Sequence, residues 1–146
     1  MAAYTDSLGF NKGTAGFTSN YTQRVSVIEV DLNFATIAAA RSAASATALA
    51  ATDTLEVIPV KAGTLVLAVG GQVTTAEGAT ATMDLGDSGS ATRYVSNLDL
   101  NATGFTASAL SAPYLYSSAS AIRITLDHNS IDAAVVRVWA VVVDCN

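Results

Sequence analysis

From about residue 24 to the C-terminus, apolar and polar residues alternate in short runs separated by turn-forming residues. The first run, Val25-Ser26-Val27-Ile28-Glu29-Val30-Asp31-Leu32, is β-branched and partly alternating, as a strand requires. Residues 33–51 are Ala-rich and ambiguous: Asn33 can cap a helix carrying Phe34, Ile37 and Arg41, but interspersed Ser and Thr limit it to one short helix at most. After a turn at Asp53 the pattern predicts strands at 55–60 and 64–75, joined by Lys61-Ala62-Gly63. Gly70-Gly71 inside the long strand predicts a bulge or corner, since two residues without side chains weaken a flat ladder.

Ala76-Glu77-Gly78-Ala79 reads as a hairpin turn leading into 80–85, where Ala81, Met83 and Leu85 oppose Thr80, Thr82 and Asp84. Further strands are expected at 93–100, 113–117 and 121–127, with loops at 86–90 and 101–104 and a turn at 127–130. The last strand, 134–144, is apolar on both faces: Val136, Val138, Ala140 and Val142 on one, Val135, Trp139, Val141 and Val143 on the other. Such a strand belongs in the centre of a sheet, with the core on one side and some further cover, such as a second subunit, on the other. About eight strands in one unit predict an all-β fold, a single β-sandwich of jelly-roll type.

Residues 1–23 differ. They are rich in Gly, Thr, Ser and Asn, with Tyr4, Leu8, Phe10, Phe17 and Tyr21 spaced among them. Such a segment has no core of its own, and reads as an extended N-terminal arm whose aromatic residues Tyr4, Phe10, Phe17 and Tyr21 anchor on a neighbour. The expected organisation is therefore an arm, 1–23, and one sandwich domain, 24–146; no repeat of solenoid period and no linker divides the rest.

Composition narrows the function. The 146 residues suffice for one core of ordinary size. Only 13% are charged, about half the share of roughly 25% usual in globular domains, which favours packing over electrostatic recognition. A net charge of −5, with the seven basic residues scattered singly, argues against nucleic acid as a partner. No apolar run approaches the roughly 20 residues of a spanning helix, so no membrane partner is expected. The first residues lack the basic and apolar regions of a secretory signal, which predicts synthesis in a cytoplasm. The single cysteine, Cys145, excludes an internal disulfide and any multi-cysteine metal site.

Candidate chemistry is sparse. Gly86-Asp87-Ser88-Gly89-Ser90 resembles the nucleophile motif of chymotrypsin-like proteases, but the one histidine, His128, follows this serine in the chain, opposite to that family's order. The simpler reading is a tight loop in which Asp87 and Ser88 bond to the backbone, the glycines take positive φ and His128 is an exposed turn residue. Asp84, Asp87, Ser88 and Asp99 offer hard oxygen ligands, yet lack the spacing of an EF-hand loop. A carbohydrate-binding module would expose an aromatic platform, whereas Trp139 lies in the most apolar strand. Asn20-Tyr21-Thr22 and Asn101-Ala102-Thr103 match the glycosylation pattern by coincidence in a chain without a secretory signal. No enzyme, cofactor or metal is expected.

Several segments together are similar to a family of small structural proteins of tailed bacteriophages and prophages: Val27-Ile28-Glu29-Val30-Asp31-Leu32, the stretch 53–67, Val73-Thr74-Thr75-Ala76, Asp84-Leu85-Gly86-Asp87, Arg93-Tyr94-Val95 and Val138-Trp139-Ala140-Val141-Val142-Val143-Asp144. The resemblance runs from about Val25 to the end. It implies a virion component with a β-sandwich fold: a head decoration or cement protein on the outer capsid surface, with the major capsid protein as partner. A tail or fibre component recognising a host surface is the alternative it leaves open. The doubly apolar last strand adds the expectation of a homo-oligomer through Val135, Arg137, Trp139 and Val141, and analogy with threefold capsid positions makes that oligomer a trimer.

Overall fold

The computed structural model describes residues 25–108, 113–128 and 130–145; the arm residues 1–23, Tyr4, Phe10, Phe17 and Tyr21 among them, lie outside the described residues. Among the described residues nine strands and one helix follow in order: β1 Val25–Asn33, α1 Phe34–Ala43, β2 Thr54–Val60, β3 Thr64–Thr75, β4 Thr82–Asp87, β5 Ser90–Asp99, β6 Gly104–Ala107, β7 Tyr114–Tyr116, β8 Ser120–Leu126 and β9 Val135–Asp144. They form two antiparallel sheets. One has the order β1-β9-β3-β6, with β7 also pairing β3; the other has the order β2-β8-β4-β5. The described residues form an all-β sandwich with one short helix.

Among the described strands only β4 and β5 are consecutive and paired with each other. The turns at 61–63 and 76–79 carry the chain from one sheet to the other, so 76–79 is a crossover and not a hairpin. Gly63 and Gly78 both have positive φ at these corners. β9 takes the central place expected of it, between β1 and β3. Its inner residues Val136, Val138, Ala140 and Val142 meet Ile58, Met83, Leu85, Leu98, Ile122, Ile124 and Leu126 in one buried core. Full burial of each large apolar side chain there is worth about 1.5–3 kcal/mol.

The helix begins where Asn33 predicts, its Oδ1 accepting the Thr36 amide at 3.0 Å. Phe34 is fully buried and fastens α1 to the core. Gly70-Gly71 does not form a bulge: Gly70 pairs with Trp139 and Gly71 with Val138 in continuous register, and the shifts fall at Val135/Val136 and Val141/Val142. The two glycines answer to crowding instead. A Cβ on Gly70 would lie 2.5 Å from Cζ2 of Trp139, and one on Gly71 would lie 2.5 Å from Cδ1 of Leu98.

Candidate interaction surface

The outward side of the β1-β9-β3-β6 sheet is built from alternate residues of each strand. On β9 these are Val135, Arg137, Trp139, Val141 and Val143, so the four residues expected at an oligomer interface share one face. The β1 register places Val25 beside Val143, Val27 beside Val141, Glu29 beside Trp139 and Asp31 beside Arg137. On the other flank Leu65, Ala68, Gly70 and Gln72 of β3 continue the face, followed by Leu115 of β7 and Phe105 of β6.

This face is graded. At one end Val25 (53%), Val27 (63%) and Leu115 (55%) are exposed beside the half-buried Val141 and Val143. In the middle the Trp139 indole lies over Gly70 and stacks against Phe105, ring centroids 5.7 Å apart and planes within 13°. The indole Nε1 has no hydrogen-bond acceptor among the described residues, although it is shielded from solvent. At the other end Arg137 donates to both carboxylate oxygens of Asp31, at 2.7 and 3.2 Å, and lies 3.2 Å from Glu29. The hydrogen bond from Arg137 holds the Asp31 carboxyl below its ordinary range. These charges are exposed, so they set orientation more than stability.

A second cluster ties the sheets together. The Asp87 carboxylate accepts from the amides of Gly89 at 2.8 Å and Ser90 at 3.0 Å, from the Arg93 guanidinium and from the Tyr116 hydroxyl at 2.6 Å. Tyr116 and Tyr94 share a further bond at 2.8 Å, and Arg93 stacks 3.7 Å over the Tyr114 ring. Burial alone would raise the Asp87 pKa, but the hydrogen bonds from Arg93, Tyr116 and the two amides outweigh it and leave the group below its ordinary range. Burial pushes Tyr94 up to about 12, and burial reinforced by the bond to Asp87 raises Tyr116 further. Since Tyr116 belongs to β7 and Asp87 to β4, this network clasps one sheet to the other. The shallow cleft beside it, about 170 Å³, adds Ser117, Ser118 and Ser120.

The loop at 86–90 is therefore structural. Ser88 and Gly89 form a two-residue turn between β4 and β5. The expected positive φ is not found at Gly86 or Gly89; Gly86 is required because a side chain there would run into the backbone of Ser90 and Ala91. His128 is half-buried and not an exposed turn residue, its Nδ1 accepting the Thr82 amide at 3.3 Å at the opposite end of β4 from Ser88. The carboxylates considered for calcium have other employment: Asp84 accepts the amide of Asn97 at 2.8 Å, where β5 bulges with φ of 55°, and Asp99 accepts the amide of Asn101 at 2.8 Å. No group of three His, Cys, Asp or Glu side chains among the described residues is placed to hold a metal ion. A cleft of about 340 Å³ between α1 and the segment before β9 is lined by Ala38, Ser42, Ala46, Leu49, Ile131 and Asp132 and offers little chemistry. Sequence reading missed the Asp87–Tyr116–Tyr94 clasp, because its members lie 7 to 29 residues apart on three strands and no local spacing reports it.

No protein-family model matches the chain, and no curated protein matches it in sequence. Solved structures do resemble it. A chain in the capsid asymmetric unit of cyanophage Pam1 superposes with a TM-score of 0.56 at 22% identity, covering 82% of this chain and 83% of that one. A chain in the acid-stable capsid of the Helicobacter pylori bacteriophage KHP30 does so with a TM-score of 0.53 at 16% identity, covering 81% and 87%. At such identities the likeness is one of fold, and it extends over about four-fifths of the chain.

Proposed function

We propose that this chain is a structural component of a bacteriophage head, a decoration or cement protein that binds the outer surface of the major capsid lattice and stabilises it against the pressure of packaged DNA. The observation that carries the reading is the shared fold, which spans four-fifths of the chain and of each similar chain, both of which come from phage capsid structures. The sheet orders β1-β9-β3-β6 and β2-β8-β4-β5, reached by crossing between sheets at most connections, we read as jelly-roll wrapping, an architecture recurrent in viral capsid proteins. The exposed apolar face around Trp139 supports the reading from a second direction, since a protein that works by association needs such a surface.

In this account the protein is a homotrimer that joins through Val135, Arg137, Trp139 and Val141. Its arm, residues 1–23, reaches the major capsid protein, with Tyr4, Phe10, Phe17 and Tyr21 as anchors. The work is interface burial, at about 25 cal/mol per Å² of apolar area, multiplied by the symmetry of the lattice. No catalytic step is involved.

Heads that lack the protein provide the test. Purified protein should co-sediment with them to a saturating ratio and raise the temperature at which they release DNA, and Tyr4→Ser with Phe10→Ser should lower occupancy at a fixed protein concentration. Failure to bind heads, together with binding to tails or host cells, would replace this reading with the tail-fibre one.

A further inference from the structure

We infer that the cleft of about 170 Å³ beside the Asp87–Arg93 pair is a receptor for one carboxylate, supplied by an acidic side chain of a protein partner. This site is distinct from the outer face around Trp139, and its test does not involve capsid binding. The cleft opens where the two-residue turn after β4 meets the connection from β7 to β8, and its walls include Arg93, Tyr114, Tyr116, Ser117, Ser118 and Ser120.

What the cleft can bind follows from what its ion pair leaves unused. The Asp87 carboxylate is saturated by four donors: one oxygen accepts the amides of Gly89 and Ser90, the other accepts Nε of Arg93 and the Tyr116 hydroxyl. It has no lone pair left for an N–H or O–H of a ligand. Arg93 is only partly engaged. Its Nε is taken, but the two terminal nitrogens, which carry most of its N–H donors, reach no acceptor among the described residues. They are open to solvent, since the side chain is 22% exposed and the buried nitrogens without partners among the described residues belong to Arg123 and Trp139. The guanidinium is also held in place, by Asp87 at its Nε edge and by the Tyr114 ring, whose centroid lies 3.7 Å from Cζ. A fork fixed in this way loses little freedom when a ligand engages it. Rotatable hydroxyls of Ser117, Ser118 and Ser120 line the opposite wall. The fixed groups of the cleft therefore donate, and they select a ligand that accepts.

Among acceptors, the geometry favours a carboxylate. A sugar would stack on an open aromatic face, whereas the Tyr114 ring is covered by Arg93 and packs at 75° to Tyr116. A phosphate dianion calls for more positive charge than one guanidinium already paired with Asp87 supplies. A single carboxylate matches the two terminal nitrogens in the bidentate arrangement that arginine offers. The source is a protein side chain because the cleft is shallow and borders exposed apolar surface, Tyr114 at 37% and Leu115 at 55%. A small acid gains few contacts in so open a site, while a side chain brings its apolar neighbours onto that border.

NMR spectroscopy of the native, isotope-labelled chain tests the assignment, with acetyl-Leu-Glu-Leu-amide, acetate, inorganic phosphate and methyl glucoside as probes. The peptide should shift the Arg93 Nε–H signal and the amides of Gly89 and residues 117–120 to saturation, and should bind several-fold more tightly than acetate. Its glutamine counterpart should bind about tenfold more weakly, as loss of a charge-assisted pair requires. Arg93→Lys, which keeps the charge and removes the fork, should weaken the peptide by a similar factor. Because Arg93 also belongs to the clasp between the sheets, Ser117→Ala with Ser118→Ala provides a second variant outside it, expected to weaken binding about two- to tenfold. Absence of a saturable shift with the peptide, or equal binding of its glutamate and glutamine forms, overturns the inference. Tighter binding of phosphate or of the glucoside would replace the carboxylate, and acetate binding as tightly as the peptide would remove the protein source; each of these results also overturns it.

Discussion

Gly70 carries the Trp139 indole directly above its α-carbon, and that contact explains a residue whose presence in a strand otherwise costs stability. Gly70→Ala should lower unfolding free energy by about 1–3 kcal/mol through overpacking and shift the tryptophan emission, whereas Gly104→Ala, with nothing within 4 Å, should be neutral or stabilising by about 0.4–1 kcal/mol. Denaturant unfolding of the two variants checks the contrast. Asp87 makes a pH prediction. Its folded pKa is depressed, so the clasp contributes stability in full above the unfolded carboxyl value of about 3.9 and loses it as pH falls through the lower folded value. Tyr94 works in the opposite sense: its folded pKa, raised to about 12, means stability that is complete below the unfolded value of about 10 and is lost as pH rises through about 12. Stability measured against pH should thus be level in between and fall at both ends. Asp87→Asn should cost about 3 kcal/mol at neutral pH and flatten the acid limb, and Tyr94→Phe should flatten part of the alkaline one.

At the scale of elements, the long strands were legible because apolar, β-branched runs bounded by turn residues are a local signal. Thr64–Thr75 was read to the residue, and Val25–Asn33 and Val135–Asp144 to within one. The helix cap at Asn33 was legible for the same reason. β6, Gly104–Ala107, was not: four residues with no buried member carry no pattern, and the strand exists because the edge of β3 offers it a ladder. Which sheet each strand joins was equally hidden, since a turn such as 76–79 looks the same whether it closes a hairpin or crosses the sandwich. What holds that crossover is a long-range contact, the Glu77 carboxylate accepting the amides of Asp132, Ala133 and Ala134 at 2.8–3.0 Å. Glu77→Ala leaves three amides at the entry to β9 without this acceptor and should destabilise the fold by about 1–3 kcal/mol, with Glu77→Gln recovering part of it. Hydrogen exchange at residues 132–134 should accelerate in both variants, more in the alanine one.

Across the whole molecule, one sheet of the sandwich turns an aromatic and valine-rich face outward, and the four β9 residues expected at an interface fall together on it because alternation along a strand fixes sidedness without any knowledge of the fold. The neighbours that complete the face, Val25, Val27, Phe105 and Leu115, come from three other strands, and only the sheet order brings them there. A homotrimer should therefore depend on this face: Val141→Glu, which places a charge among Val27, Val143 and Ala68, should shift sedimentation toward monomer while leaving the β-sheet circular dichroism intact. The central claim, that the chain decorates a phage head, is tested most directly by electron cryomicroscopy of purified virions that contain the protein. The account predicts sandwich-shaped density repeated over the outer capsid lattice in hundreds of copies, joined in threes, while density confined to a few copies on the tail, or absent from the particle, would contradict it.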